Sequence, residues 1–285
     1  MSTTTSTAVP YAPSSASARR TEALRASVVG ELQRRTAPPF GGFNTTILGI
    51  ELKRVLRNKR SIIFTILMPP LFFVMFGSGD SYRTQSAGHG NVTAYILISM
   101  AAYGAMIAVT SGGAAVSIER SAGWSRQLRL TPLHPISYIS LKAIAAMATG
   151  LASVLVTNIV GEAFGAELPI GRWLLAAALC WVCSIVFAAF GLFMGYLLPS
   201  QNAMQILGPA LALMAFLGGL FVPLDTMGHT FATIARFTPM YGVGMITHAP
   251  LTGDLGLGAV VNVLAWTVVF VAGAAWRFRR DTARV

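Results

Sequence analysis

Residues 93–117 read TAYILISMAAYGAMIAVTSGGAAVS, and none of them is charged. A helix of that length covers the roughly 30 Å of hydrocarbon in a bilayer. No water is available there to pair with open backbone, so only a helix or a closed barrel can cross. A barrel strand alternates apolar and polar over about ten residues; this run is continuous, and the reading is a helix. Similar blocks recur at about 61–79, 140–161, 173–198, 204–222 and 256–276. The expected fold class is therefore all-α: a polytopic membrane protein with six transmembrane helices. Composition agrees, because 54% of the 285 residues are hydrophobic and 11% charged, against about 25% charged in a soluble domain.

Lys and Arg orient the spans. The segment before the first span holds ten: Arg19, Arg20, Arg25, Arg34, Arg35, Lys53, Arg54, Arg57, Lys59 and Arg60. The second connection holds four (Arg120, Arg126, Arg129, Lys142) and the C-terminal tail four (Arg277, Arg279, Arg280, Arg284). Arg83, Arg172 and Arg236 stand alone in the first, third and fifth connections. By the positive-inside rule both termini and the second connection are expected in the cytoplasm. The net charge of +11 is then topological, and nucleic acid drops out as a partner.

Outside the spans, residues 1–44 form a Ser/Thr/Ala/Pro-rich N-terminal tail. It is expected to be largely disordered, with a short amphipathic helix within 19–35, and it lacks the apolar core of a signal peptide. Residues 45–60 place Leu48, Leu52, Val55 and Leu56 on one face with Lys53, Arg54 and Arg57 away from it, the pattern of a helix lying in the membrane interface. Pro69-Pro70 should kink the first span. Gly191 and Gly195 form a G-x-x-x-G that permits close helix contact. Residues 224–255, with Pro239 and two nearby glycines, read as an outer-face segment, partly helical and re-entrant, and 277–285 as a cytoplasmic tail.

Several chemistries are missing. The sequence holds no G-x-x-x-x-G-K-[ST] to cradle nucleotide phosphates, no G-x-S-x-G elbow and no H-E-x-x-H metal pair. Cys180 and Cys183 are spaced C-x-x-C, but without a second pair and within a span they read as packing residues. His89, His134, His229 and His248 are scattered over connections and read as ordinary polar residues. The span centres carry no Asp, Glu, Lys or Arg, which weighs against an ion-coupled carrier. No enzyme activity, metal or bound cofactor is expected of this chain.

The second connection, ERSAGWSRQLRLTPLHPISYISLK (119–142), interrupts the apolar pattern with five charges. Residues 119–130 contain no proline and can continue as helix until Pro132 and Pro135 stop it. Trp124 and Leu128 share one face, Arg126 and Arg129 another. One reading is a loop whose arginines only enforce topology. The other is a short helix presenting Trp124 and its charged neighbours to a soluble partner, since Trp and Arg are enriched at binding hot spots.

With these parts in place, residues 45–280 resemble the membrane subunit of an ABC-2-type ABC exporter, in its drug-resistance-like branch. The resemblance is carried by ELKRVLRNKRSIIFTILMPPLFFVMFG, by six spans with both ends cytoplasmic, by the Glu119-Arg120 start of the second connection with Gly123 four residues on, and by FVPLDTMGHTFATIARFTPMYGV after the fifth span. It implies that residues 118–131 are a coupling helix docking on a separate ATPase subunit through Glu119, Arg120, Gly123, Trp124, Arg126, Gln127 and Leu128. It also implies two ATPase subunits per complex, holding the ATP and Mg, and a second permease copy or paralogue. The path between permeases would be lined by the second and fifth spans, with Met214, Phe216 and Phe221 as candidates; Met and Phe suit amphipathic cargo. Plain packing or lipid contact is the competing reading for each. The function expected is export of an amphipathic small molecule across the cell membrane. Export of a lipid-linked glycan or other polymer, an ion-coupled carrier and a non-transporting scaffold stay open.

Overall fold

The computed structural model describes residues 45–123 and 135–283; the N-terminal tail and residues 124–134 lie outside it. Twelve helices are described among these residues. Helix α1 (Thr45–Arg57) is amphipathic and has no buried residue. It meets α2 (Lys59–Gly77) at a sharp bend, 65° between Thr45–Arg57 and Ile62–Gly77. A short α3 (Asp80–Thr84) follows, then a two-residue antiparallel ladder of β1 (Ser86–Ala87) and β2 (Gly90–Asn91). Next come α4 (Val92–Ala114), α5 (Val116–Ser121), α6 (Pro135–Ala163), α7 (Ile170–Cys183) and α8 (Ile185–Leu197). The chain ends with α9 (Ser200–Leu217), a 3-10 turn at Leu224–Thr226, α10 (His229–Ala235), α11 (Pro239–Thr252) and α12 (Leu257–Ala283).

Four stretches are long and apolar enough to cross a membrane: Val92–Ser121, Ser137–Ala163, Ile170–Leu197 and Leu257–Phe278. The bent α1–α2 pair makes up to five, and Gln205–Leu217 is apolar but shorter. The helix at the expected fifth span, 204–222, begins earlier, at Ser200, and stops at Leu217, where the chain turns through Gly218 and Gly219, the latter at φ +78°. The fourth span is two helices that meet at Ser184.

Helix α4 is the axis: 78% of its apolar stretch is buried, against 22% for Leu257–Phe278 at the perimeter. In lipid, helices associate through packing and not through expulsion of water, so small residues mark the contacts. Gly191 and Gly195 of α8 lie against α4. A Cβ on Gly191 would stand 2.4 Å from the Thr110 carbonyl oxygen, and one on Gly113 2.7 Å from Leu192 N. Large apolar side chains point outward instead, among them Phe64, Leu67 and Met75 on α2 and Leu264, Val268 and Val271 on α12.

The expected kink at Pro69-Pro70 is not where the chain breaks. Helix α2 continues through both prolines, which are buried, and the sharp bend precedes them at the α1–α2 joint. Pro69 is accommodated by Gly104 of α4, whose added Cβ would lie 2.7 Å from Pro69 Cγ. Each proline removes the donor that serves the carbonyl four residues back, here those of Thr65 and Ile66. Both residues line a cavity of about 330 Å3 beside Ser111 and Thr149.

Helix α11 is the unexpected core member. Ten of its residues are buried, and it packs against α4, α7 and α12. His248 on α11 is not an exposed loop residue: its ring nitrogens lie 2.8 Å from the Gly244 carbonyl oxygen, 3.1 Å from Ser99 Oγ and 3.2 Å from the Tyr95 carbonyl oxygen. Cys180 and Cys183 are free thiols packed in the core.

Candidate functional site: a charged junction at the basic end of the bundle

The polar center of the molecule forms where α1, α5 and the start of α6 meet. Helix α5 opens after a break at Ala115, and this turns Glu119 inward. Glu119 is 8% exposed and Lys142 4% exposed, depths that charged groups reach only when paired. The Lys142 ammonium donates to Glu119 Oε1, and also to Glu51 Oε1 at 2.6 Å. Arg54 pairs with the same Glu119 oxygen and reaches Glu51 at 3.3 Å. The Tyr138 hydroxyl donates to Glu119 Oε2, and Lys142 also lies 5.5 Å from the Tyr138 ring centroid.

Two acids, Glu51 and Glu119, face two bases, Arg54 and Lys142, so the cluster is neutral in sum. That balance is what makes its burial tolerable, since an unpaired buried charge costs several kcal/mol, about 3–5 when a partner is removed. Spacing explains the alignment. Glu51 and Arg54 are one turn apart on α1, and Tyr138 and Lys142 one turn apart on α6. The adjacent Arg120 points the other way. Its Nη1 donates to the carbonyl oxygens of Gly195 at 3.2 Å and Tyr196 at 2.9 Å, with the guanidinium 5.5 Å from the Tyr196 ring. A cation there satisfies carbonyls that the end of α8 leaves open. Val116, Leu192, Tyr196 and Ala274 close the contact in a small apolar cluster beneath, with Phe278 against Tyr196.

Of the sequence-derived candidates, Glu119 and Arg120 are thus engaged inside the chain. Their side chains hold α1, α6 and α8 to α5 and do not face outward. Gly123 sits at φ +78° with nothing within 4 Å of an added Cβ. Trp124, Arg126, Gln127 and Leu128 lie outside the described residues. Lys53 and Arg57 are exposed on α1, while Arg54 is half exposed and enters the junction. Met214, Phe216 and Phe221 do not gather. Phe221 meets Tyr103 edge-on at 5.1 Å, Phe216 meets Phe231 at 6.0 Å, and Met214 packs on the core.

Glu51, Tyr138 and Lys142 were not singled out from the sequence as site residues. Two signals were available: Glu51 is the one acid on a basic interfacial helix, and Lys142 stands at the mouth of an apolar run. Among the described residues no group of three or more His, Cys, Asp or Glu could hold a metal ion.

A helical bundle with several apolar crossings, tied at one end by buried charges, defines a multi-pass membrane protein. Residues 44–247 match the family profile described as ABC-2 type transporter, and the chain belongs to that family. One relative is YvfS of Bacillus subtilis (strain 168), described as a candidate transport permease. It is 27% identical over 196 residues, which cover 68% of this chain and 79% of YvfS.

Proposed function

We propose that this chain is the permease subunit of an ATP-driven exporter for an amphipathic small molecule. In this reading it has six spans with both termini cytoplasmic, pairs with a second permease copy, and is powered by two separate ATPase subunits that hold ATP and Mg. Family membership and the YvfS likeness support the transport role. The 18 to 3 division of Lys and Arg between alternate connections supports the orientation.

The observation that carries the coupling mechanism is the charged junction. Glu119 alone joins α5 to both α1 and α6, and Arg120 joins α5 to the end of α8. A force applied to residues 116–123 therefore moves four helices together. Trp124, Arg126, Gln127 and Leu128 supply the outward contacts to the ATPase, and Glu119 and Arg120 act as positioning residues behind them. Nucleotide-driven closure of the ATPase pair would push on this end. Stiff helices then carry the motion towards the seam between permeases, for which Met214, Phe216 and Phe221 on α9 and its exit are the candidate lining. In this reading the Gly- and Pro-rich segment after α9, with Pro223, Pro239 and Pro250, acts as the exit gate.

The test is transport itself. Proteoliposomes carrying the chain with its ATPase should move a fluorescent amphipathic amine only when ATP is supplied on the ATPase side, with no response to collapse of an ion gradient. Transport without ATPase, driven by a gradient, would instead favour the carrier reading.

A further inference from the structure

A cavity of about 1000 Å3 lies at the end of the bundle opposite the charged junction, in a cleft between α6 and α7. Helix α6 carries Lys142 near its start and Glu162 near its end, twenty residues or about 30 Å apart along the axis. The cleft has two kinds of wall. Leu155 and Ile159 on α6 and Ile170 and Leu174 on α7 are each more than half exposed. Together they form apolar flanks open to the side of the bundle, where lipid chains lie. Above them the lining turns polar: Glu162 continues the Leu155–Ile159 face of α6, Glu167 comes from the α6–α7 linker, and Arg83 from α3. Trp173 also lines the cleft, and indoles favour membrane interfaces.

The polar rim is held in shape by a buried hub. Asn91, 4% exposed, donates through Nδ2 to the carbonyl oxygens of Gly165 at 2.9 Å and Arg83 at 3.3 Å. Its Oδ1 accepts from Glu167 N at 3.1 Å and Ala94 N at 2.8 Å. One side chain thus fixes the α3 end, the α6–α7 linker and the start of α4. Close approach secures the hairpin: a Cβ on Gly90 would stand 2.3 Å from the Glu167 carbonyl oxygen. A site fixed in advance loses less entropy on binding.

From this arrangement we propose that the α6–α7 cleft binds a membrane phospholipid with an amine-bearing zwitterionic head group, of the phosphatidylethanolamine class. The acyl chains lie along Leu155, Ile159 and Leu174, the ammonium faces Glu162 and Glu167, and the phosphate faces Arg83. Charge sets the choice. Glu162 and Glu167 stand against a single guanidinium, Arg83, which already lies 3.7 Å from Asp80, so the rim favours a head group carrying a cation and repels a lipid that is anionic overall.

Native mass spectrometry of the full chain, titrated with phosphatidylethanolamine and phosphatidylglycerol of matched chains, tests this. Wild type should retain the ethanolamine lipid about fivefold over the glycerol lipid, as expected for two partly exposed charge contacts. The Glu162→Gln/Glu167→Gln variant, altered only at exposed side chains, should lose that preference while keeping its thermal midpoint. Equal retention of both lipids by wild type overturns the proposal, as does a preference that survives in the double variant. Lipid held by monomers and excluded from dimers overturns it too, because the cleft is then an interface between copies.

Discussion

Glu119 carries the coupling argument at the scale of a single residue. Its carboxylate accepts from Tyr138, Lys142 and Arg54 at once. Lys142→Met should therefore cost about 3 kcal/mol, because Glu119 and Glu51 then share only the half-exposed Arg54. Combining it with Glu119→Gln should cost less than the two singles added, since neither then leaves an unbalanced charge. Thermal midpoints of the purified variants measure both; strict additivity would show that the two residues do not interact. Little of this was legible in sequence. Glu119 and Arg120 stood out by position, but periodicity reports which face a residue occupies and not whether a distant helix covers that face. Only packing of α1, α6 and α8 onto α5 reveals that the pair is internal.

Among the elements, the G-x-x-x-G of α8 shows what local pattern can and cannot convey. Gly191 and Gly195 were visible as a close-contact motif, yet the partner was not. The structure supplies α4, with Thr110 over Gly191 and Gly113 over Gly195. The two glycines are not equivalent, since their added Cβ atoms would meet backbone at 2.4 Å and 3.1 Å. Gly191→Ala should accordingly destabilise by about 1–3 kcal/mol, the range for overpacking, and Gly195→Ala by less. Equal midpoints for the two variants would contradict the packing described. The prolines of α2 teach the reverse lesson. Their two missing donors predict a kink, but the helix persists because Gly104 makes room and the freed carbonyls belong to residues lining a cavity. Helix α11 was the least legible element. Its glycines, prolines and histidine look polar and irregular in sequence, yet His248 finds three partners and the helix enters the core.

For the whole molecule, the apolar blocks located the four long spans and the first, bent one to within a few residues. Helix α9 runs from Ser200 to Leu217, four to five residues N-terminal of the expected 204–222, because hydropathy does not register the turn at Gly218-Gly219. The proposed topology makes a direct prediction. Single cysteines at the exposed positions Thr84 and Thr230 should react with an impermeant maleimide in intact cells, while one at Ala122 should react only after permeabilisation. Labelling of Ala122→Cys from outside would invert the orientation. The native thiols, both buried, should contribute no background.

The central claim is that this chain is the membrane half of an ATP-driven machine, engaged through the segment that follows Glu119. The most direct measurement is gentle purification of the tagged full chain, coexpressed with its neighbouring genes, followed by an ATPase assay on wild type and Trp124→Ala. A nucleotide-hydrolysing protein should co-purify with wild type, and Trp124→Ala should release it or uncouple its hydrolysis while leaving the permease folded. A chain that purifies without any ATPase, and behaves identically with and without Trp124, would contradict the account.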